Sequence, residues 1–208
     1  MKVGTDGVTL GAWARCGGRV LDVGCGCGLI GLMAAQRGAS RVVMIEVDPA
    51  AAREAAENAA KSPWASVIDT RCGDFIEADE EEAFDNILSN PPFFATGELA
   101  PDPARAAARH QGKLTPDAFI AKAARMLAPD GRVSIIIPAD LEHDWTFAAR
   151  LVGLQLTRRT GLFTRRRAVS PRRLLMEFGV VSSAFEPEVS NLHIHSDDYK
   201  NLVNDFYL

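Results

Sequence analysis

The residues Asn90-Pro91-Pro92-Phe93 carry the most specific chemistry in the sequence. The side-chain oxygen of Asn90 and the backbone carbonyl of Pro91 can accept hydrogen bonds from the two hydrogens of a flat amino group. The prolines fix the backbone so that this carbonyl is already aimed, and Phe93 offers a face for a stacked base. Positioning of the nitrogen about 3 Å from an electrophilic carbon would then do most of the work. The motif predicts methylation of a planar nitrogen, whereas the alternative is a simple turn that ends a strand.

A glycine-rich loop, Asp22-Val23-Gly24-Cys25-Gly26-Cys27-Gly28, lies between an apolar run and a helical pattern. Its glycines let the backbone approach a ligand where a Cβ would collide. The segment also satisfies GxGxxG, so that a dinucleotide remains an alternative ligand. The acid at Asp22 favours S-adenosylmethionine, because it would repel a pyrophosphate and attract the ammonium and sulfonium groups. The candidate cofactor residues of this loop are Asp22, Gly24, Gly26 and Gly28.

Two further acids follow neighbouring strand patterns. Glu46 ends the second apolar run, where a carboxylate can accept both hydroxyls of a ribose. Asp48 competes for that role, but Pro49 begins the next helix and Asp48 is better explained as its N-cap. Asp74, after the third strand, can accept from the amino group of the cofactor's adenine, and Phe75 is assigned to the same site. The alternative for Asp74 is the N-cap of a short helix.

Alternating strand and helix patterns position these residues. Such alternation predicts a mostly parallel sheet covered by helices on both faces, with ligands bound at the carboxyl ends of the strands. The predicted strands are 19–23, 41–46, 67–71, 84–89, 131–138, 154–160 and 173–181, and the predicted helices are 29–37, 49–61 and 115–127.

Length and composition indicate a single domain, 1–208. A chain of 208 residues with 47% hydrophobic and 24% charged residues has the balance of an ordinary globular protein. Because the sequence contains neither an apolar run of about 18 residues nor a signal-peptide pattern, we expect a cytoplasmic protein without a membrane partner, and a monomer is favoured. The four cysteines lack zinc-ligand spacing. A surface or core role is favoured for His193 and His195, because a metal site would need more ligands, so that no metal is expected.

Basic residues in two segments are candidates for RNA contacts. The net charge is −4, yet residues 158–173 hold seven arginines and no acid, which predicts a directed electrostatic patch. Residues 90–114 have little pattern, which is typical of a functional loop. The alternative for Arg165–Arg167 is a loop that only aids solubility, and the alternative for Arg105 and Arg109 is an exposed helix surface without a ligand. The candidate RNA-binding residues are Arg105, Arg109, His110, Arg165, Arg166 and Arg167.

With these motifs, the sequence resembles the class I, Rossmann-like N6-adenine methyltransferases with an Asn-Pro-Pro-Phe/Tyr motif. More closely, it resembles the bacterial tRNA1(Val) adenine-37 N6-methyltransferase family. The opening Lys2-Val3-Gly4-Thr5-Asp6-Gly7, followed by Leu10-Gly11-Ala12-Trp13, matches the family's signature, as do Ser62-Pro63-Trp64-Ala65 and the end of the chain. Arg105 and Arg109 match two arginines of the family's loop after the motif.

The resemblance implies a mostly parallel seven-stranded sheet and a methyl transfer from S-adenosylmethionine that leaves S-adenosylhomocysteine. It implies that the acceptor is the adenine just 3′ of the anticodon in a valine tRNA, and that Thr5 covers the cofactor's methionine end. Family members usually carry some tens of residues before the position of Lys2, so that we expect this chain to be shorter at its start.

Three alternatives stay open at this point. The same motif could act on a glutamine amide in a release factor, a guanine in rRNA or an adenine in DNA. The chain could instead be a catalytically silent RNA-binding module. The third alternative, an NAD-dependent oxidoreductase, has the least support, because nothing in the sequence resembles the acid/base pair with which such an enzyme acts on its substrate.

Overall fold

A computed structural model describes residues 4–79, 83–92, 114–181 and 185–206. The described residues form eight strands in one sheet and six α-helices. The strands are β1 (Arg19–Val23), β2 (Arg41–Glu46), β3 (Ile68–Cys72), β4 (Phe84–Ser89), β5 (Leu127–Pro138), β6 (Gln155–Phe163), β7 (Arg173–Gly179) and β8 (Glu188–His193). The helices are α1 (Thr5–Trp13), α2 (Leu29–Gln36), α3 (Pro49–Lys61), α4 (Pro116–Met126), α5 (Glu142–Leu151) and α6 (Asp197–Val203).

The strand order is β3-β2-β1-β4-β5-β7-β6-β8. Strand β7 is antiparallel to both of its neighbours, and the other pairs are parallel. The predicted mostly parallel sheet is therefore confirmed, whereas the predicted number of seven strands is wrong. The eighth strand, β8, lies at the edge beside β6 and is largely exposed. Only Leu192 of β8 packs against the core and its other residues are exposed, so that the strand has no strong hydrophobic pattern.

Local sequence explains several helix ends. Pro49 occupies the first turn of α3, and the Asp48 side chain accepts a hydrogen bond from the backbone N–H of Ala50 at 2.8 Å. This confirms Asp48 as an N-cap. Thr115 caps α4 in the same way through Ala118.

Two apolar clusters cover the two faces of the sheet. One cluster joins the sheet to α1, α2, α3 and α6, and the other joins it to α4 and α5. Strand residues alternate between the clusters, with Val20 of β1 in the first and Leu21 in the second. Because both faces are covered, the sheet's carboxyl edge is left for ligands. Among the described residues, no helix is both long and apolar enough to cross a membrane.

Candidate active site

The carboxyl ends of four adjacent strands bring together the acids and the amide singled out in the sequence. The strand order β3-β2-β1-β4 places four residues along one edge of the sheet, in the spatial order Asp74, Glu46, Gly24 and Asn90. Val23, the last residue of β1, pairs with Ile45 on one side and with Ser89 on the other. Neighbouring strands are about 4.8 Å apart, so that the four positions span about 14 Å. This edge suits an elongated ligand whose one end points toward Asn90.

The glycine loop turns sharply away from β1. Gly24, Gly26 and Gly28 have φ values of 67°, 58° and 85°, in the left-handed region that favours glycine. The backbone N–H groups of Gly24 and Cys25 donate to the Ile45 carbonyl at 2.9 and 3.1 Å, which ties the turn to β2. A Cβ at Gly24 would have no atom within 4 Å. The loop therefore presents open space at Gly24, where a ligand can approach the backbone.

Glu46 is fixed at the end of β2 by two backbone donors. Its Oε2 accepts from Gly26 N–H at 2.8 Å, and its Oε1 accepts from Asp48 N–H at 3.0 Å. Each carboxylate oxygen has a second lone pair. The half-buried carboxylate can therefore still accept hydrogen bonds from a ligand's hydroxyl groups.

Asp22 is a fully buried acid beneath the glycine loop. Its Oδ2 accepts from the backbone N–H of Gly31 at 2.8 Å. Its Oδ1 is buried without a hydrogen-bond partner in the described part of the chain. Burial raises the pKa of Asp22 to about 7, the Gly31 hydrogen bond opposes the shift and the charge of Glu46 adds to it. A cation bound beside Oδ1 would offset the free-energy cost of burying the ionised carboxylate, so that the site fits a positively charged ligand group.

Asp74 and Phe75 lie in the segment that follows β3. The Asp74 Oδ1 accepts from the backbone N–H of Ile76 at 2.9 Å, so that the carboxylate holds a turn and not a short helix. Phe75 is buried, and its ring centroid lies 5.4 Å from that of Phe119 on α4. The segment is thus attached to the layer of helices below it.

Lys122 was not recognised as important in the sequence. It is almost completely buried on α4, and its ammonium group donates to the carbonyl of Ala78. This contact fixes the far end of the segment that carries Asp74. It joins residues 44 positions apart, so that only the folded structure brings them together.

Asn90 follows β4 next to the glycine loop. The neighbouring Ser89 donates from its hydroxyl to the Val23 carbonyl at 2.8 Å, which ties the end of β4 to the end of β1. Asn90 is half-buried, Pro91 is buried and Pro92 is exposed. The remaining candidates of this region, Phe93, Arg105, Arg109 and His110, lie outside the described residues.

The N-terminal end of α1 lies beside the start of α2. A Cβ at Gly7 would lie 3.2 Å from the Leu29 side chain, the first residue after the glycine loop. The neighbouring Asp6 accepts from the Arg173 guanidinium at 2.8 Å. Thr5 is exposed at the start of α1. Its role as a cover for the cofactor stays a prediction.

The seven arginines do not form one uniform patch. Arg165, Arg166 and Arg167 are exposed after β6. Three others are used within the protein: Arg158 donates to the Trp13 carbonyl and lies over its ring, Arg159 pairs with Glu142, and Arg173 pairs with Asp6. The prediction of a single basic patch over residues 158–173 is thus wrong for these three, because charge in the sequence does not reveal partners distant in the chain.

The cysteines and histidines form no metal centre in the parts of the chain that the structure describes. All four cysteines are free thiols, and none of the described residues belongs to a group of three or more possible ligands. His193 is exposed at the end of β8 and stacks on Phe163.

The sheet order and the acid-glycine loop together define a Rossmann-like methyltransferase. A family model described as methyltransferase small domain matches residues 10–164. A solved predicted O-methyltransferase from Agrobacterium tumefaciens has the same fold, with a TM-score of 0.72, 18% identity and 96% of each chain covered. A glycopeptide N-methyltransferase complexed with S-adenosylmethionine has a TM-score of 0.62 at 11% identity, with 85% of this chain and 95% of that chain covered.

Relatives with curated names identify the family more narrowly. A protein of Bacteroides thetaiotaomicron is 39% identical over 100% of this chain and 91% of its own length. One of Porphyromonas gingivalis is 40% identical over 100% of this chain and 89% of its own length. Both are named tRNA1(Val) (adenine(37)-N6)-methyltransferase. The chain belongs to this family.

Proposed function

We propose that the protein transfers a methyl group from S-adenosylmethionine to the N6 amino group of an adenine in tRNA, with adenine 37 of a valine tRNA as its target. The names of its relatives support the acceptor. The observation that carries the proposal is the arrangement at the sheet edge. A buried acid with an unpartnered oxygen lies under the end of β1, and Asn90 follows the adjacent strand.

The cofactor would be held along the ends of β3, β2 and β1. Asp74 would accept from its adenine amino group, Glu46 would accept from its ribose hydroxyls, and Asp22 would neutralise its cationic end. Gly24 leaves the backbone open to the ligand. When bound, S-adenosylmethionine supplies a methyl group made electrophilic by a sulfonium. The fit depends on Asp22 being ionised, which the ligand's positive charge favours.

Asn90 and Pro91 would hold the acceptor amine. Two acceptor oxygens bind its two hydrogens, so that the nitrogen lone pair faces the neighbouring end of β1. An aromatic amine is a poor nucleophile, and these two bonds favour the pyramidal nitrogen of the transition state over the flat ground state. The nitrogen becomes cationic on methylation and then loses a proton, so that no side chain has to act as a general base. Phe93 remains the candidate for stacking the base.

The wider setting follows from a tRNA substrate. We propose that residues 1–208 act as one cytoplasmic domain, as a monomer, with Arg105, Arg109, His110 and Arg165–Arg167 in contact with RNA. Phosphate contacts of this kind give affinity without sequence readout. The identity of the tRNA would be set by the shape of the anticodon loop and by the nucleotide bound at Asn90.

Methyl transfer to bulk tRNA tests the proposed function. Purified protein is incubated with radiolabelled S-adenosylmethionine and tRNA that lacks the modification, and the product nucleoside is identified by mass. We expect N6-methyladenosine at position 37 of a valine tRNA. Label in guanosine, in DNA or in a release-factor glutamine would replace this acceptor with one of the alternatives. Absence of transfer to any of them would support a silent RNA-binding module.

A further inference from the structure

The carboxyl edge of the sheet continues well beyond the candidate active site. Strand β6 lies three positions from β4 in the sheet and β8 lies four. At about 4.8 Å a strand, their ends are about 14 and 19 Å from the end of β4. Strands β6 and β8 are parallel to each other, so that Phe163 and His193 end side by side at the same edge as Asn90.

The segment after β6 is an ordered turn that presents three arginines. The backbone N–H of Ala168 donates to the Arg165 carbonyl at 3.2 Å, and Arg172 N–H returns to the Leu162 carbonyl at 3.0 Å. Pro171 packs above Gly161, where a Cβ would lie 3.2 Å from its ring. Arg165, Arg166 and Arg167 are therefore exposed on a fixed turn, which lowers the entropy lost when they bind phosphates.

Beside this turn, His193 forms a preorganised aromatic surface. Its ring is stacked on that of Phe163, with centroids 4.5 Å apart and planes 22° apart. The His193 carbonyl accepts from the Ser196 hydroxyl at 2.7 Å and from Ser196 N–H at 2.9 Å, and Ile194 N–H donates to the Phe163 carbonyl at 3.1 Å. The ring is thus held by its neighbours and yet exposed. The acid at Asp197 is already paired with Lys200 at 2.7 Å.

We propose that the Arg165–Arg167 turn and the His193 ring form a second RNA-contact surface, which binds nucleotides of the tRNA away from the methylated adenine. The arginines bind phosphates, and the exposed face of His193 stacks on an unpaired base. This combination of cations and an aromatic face is what single-stranded RNA requires. The inference rests on the proposed function, and it adds a base-stacking residue and a distance along the sheet edge.

Binding of the full protein to an anticodon stem-loop RNA tests this surface. We expect the variant R165A/R166A/R167A to bind at least tenfold more weakly at 150 mM salt. The slope of log affinity against log salt should become shallower by about 2 to 3, because each of the three lost phosphate contacts removes roughly 0.7 to 0.9 from its magnitude. The control Arg150→Ala, which removes one exposed arginine at the end of α5, should stay within twofold of the wild type.

Two substitutions at His193 separate stacking from charge. We expect His193→Ala to weaken stem-loop binding about tenfold, within the range of base–aromatic stacking, with the salt slope unchanged. His193→Phe should restore most of the affinity, because it keeps a ring on Phe163. Truncating the RNA to three nucleotides around the target adenine should remove the difference between the wild type and His193→Ala, because the surface is about 19 Å from β4.

These experiments distinguish an error in the RNA-contact surface from an error in the proposed methyl transfer. If the wild type methylates tRNA while the triple-arginine and His193→Ala variants bind the stem-loop like wild type, this surface is wrong and the active site stands. If His193→Phe binds as poorly as His193→Ala, the stacking role is overturned. A wild type that neither binds tRNA nor methylates it overturns both.

Discussion

The carboxylate of Asp22 and the backbone N–H of Gly31 are joined by a 2.8 Å hydrogen bond across the glycine loop. Gly31 lies in the first turn of α2, and its N–H satisfies one oxygen of a fully buried acid. The other oxygen has no partner in the described residues. The acid is thus held in place on one side and left available for a cation on the other.

Replacing the charge of Asp22 alone tests its role. Asp22→Asn keeps the volume and an oxygen for the Gly31 N–H, and removes the negative charge. We expect affinity for S-adenosylmethionine to fall at least tenfold by calorimetry, because a charge-assisted contact is lost. Unfolding of the ligand-free variant at pH 8 should occur at the same or a higher temperature, because a buried, poorly paired carboxylate costs stability. Undiminished affinity for the ligand would remove Asp22 from the site.

Asp22 should also make stability and binding depend on pH. Its pKa is raised from 3.8 to about 7 in the folded protein. Between these values the folded state holds a proton that the unfolded state has released, so that the contribution of Asp22 to the free energy of unfolding falls as pH rises and is constant above about 7. The melting temperature of the wild type relative to Asp22→Asn should therefore decrease from pH 5 to pH 8.

Ligand affinity should change in the opposite direction. A cationic ligand binds the ionised form of Asp22, so that affinity for S-adenosylmethionine should rise about tenfold from pH 6 to a plateau above pH 7. The difference between wild type and Asp22→Asn isolates this effect from titration of the ligand. Parallel profiles for the two proteins would contradict the role of Asp22.

Lys122 should affect cofactor binding from a distance. Its bond to the Ala78 carbonyl helps to fix the segment that carries Asp74 and Phe75. We expect Lys122→Met to lower the free energy of unfolding by about 1–2 kcal/mol and to raise KM for S-adenosylmethionine three- to tenfold, with kcat within twofold. Lys61→Met, at the exposed end of α3, is the matched control. A lower kcat with an unchanged KM would contradict the positioning role.

Arg158 should contribute to the stability of the fold, whereas Arg166 should contribute to RNA binding. Arg158 lies 3.7 Å from the Trp13 ring centroid and 3.9 Å from the fully buried carboxylate of Glu177. Arg158→Ala should cost about 2–4 kcal/mol in denaturant unfolding, because it weakens the compensation of a buried charge. Arg166→Ala should leave the unfolding curve unchanged and lower the salt dependence of RNA binding. Equal stability of the two variants would contradict this division of the arginines.

Local patterns predicted the part of the fold that carries the candidate cofactor residues. Strands β1, β2 and β4 and helix α3 have the predicted bounds, since each is an apolar run or an alanine-rich helix with clear end signals. Helix α1 was not predicted. It contains Gly7 and Gly11, and its residues 7–12 are all buried, so that neither helix propensity nor an amphipathic pattern marks it.

The candidate site was predictable where it depends on strand ends and not where it depends on distant pairs. Residues that end parallel strands meet at one edge by topology, which brings Glu46 and Asn90 together without knowledge of side-chain contacts. The contacts of Lys122 with Ala78 and of His193 with Phe163 join elements far apart in the chain. No local pattern encodes them.

Methyl transfer by Asn90→Ala is the decisive measurement of whether Asn90 orients the acceptor amine. We expect this variant to bind S-adenosylhomocysteine within about threefold of wild type and to lose at least a hundredfold in kcat for tRNA. Asn90 would act on the amine at the transition state, and such losses appear in kcat. Wild-type turnover in Asn90→Ala would rule out a role of Asn90 in methyl transfer.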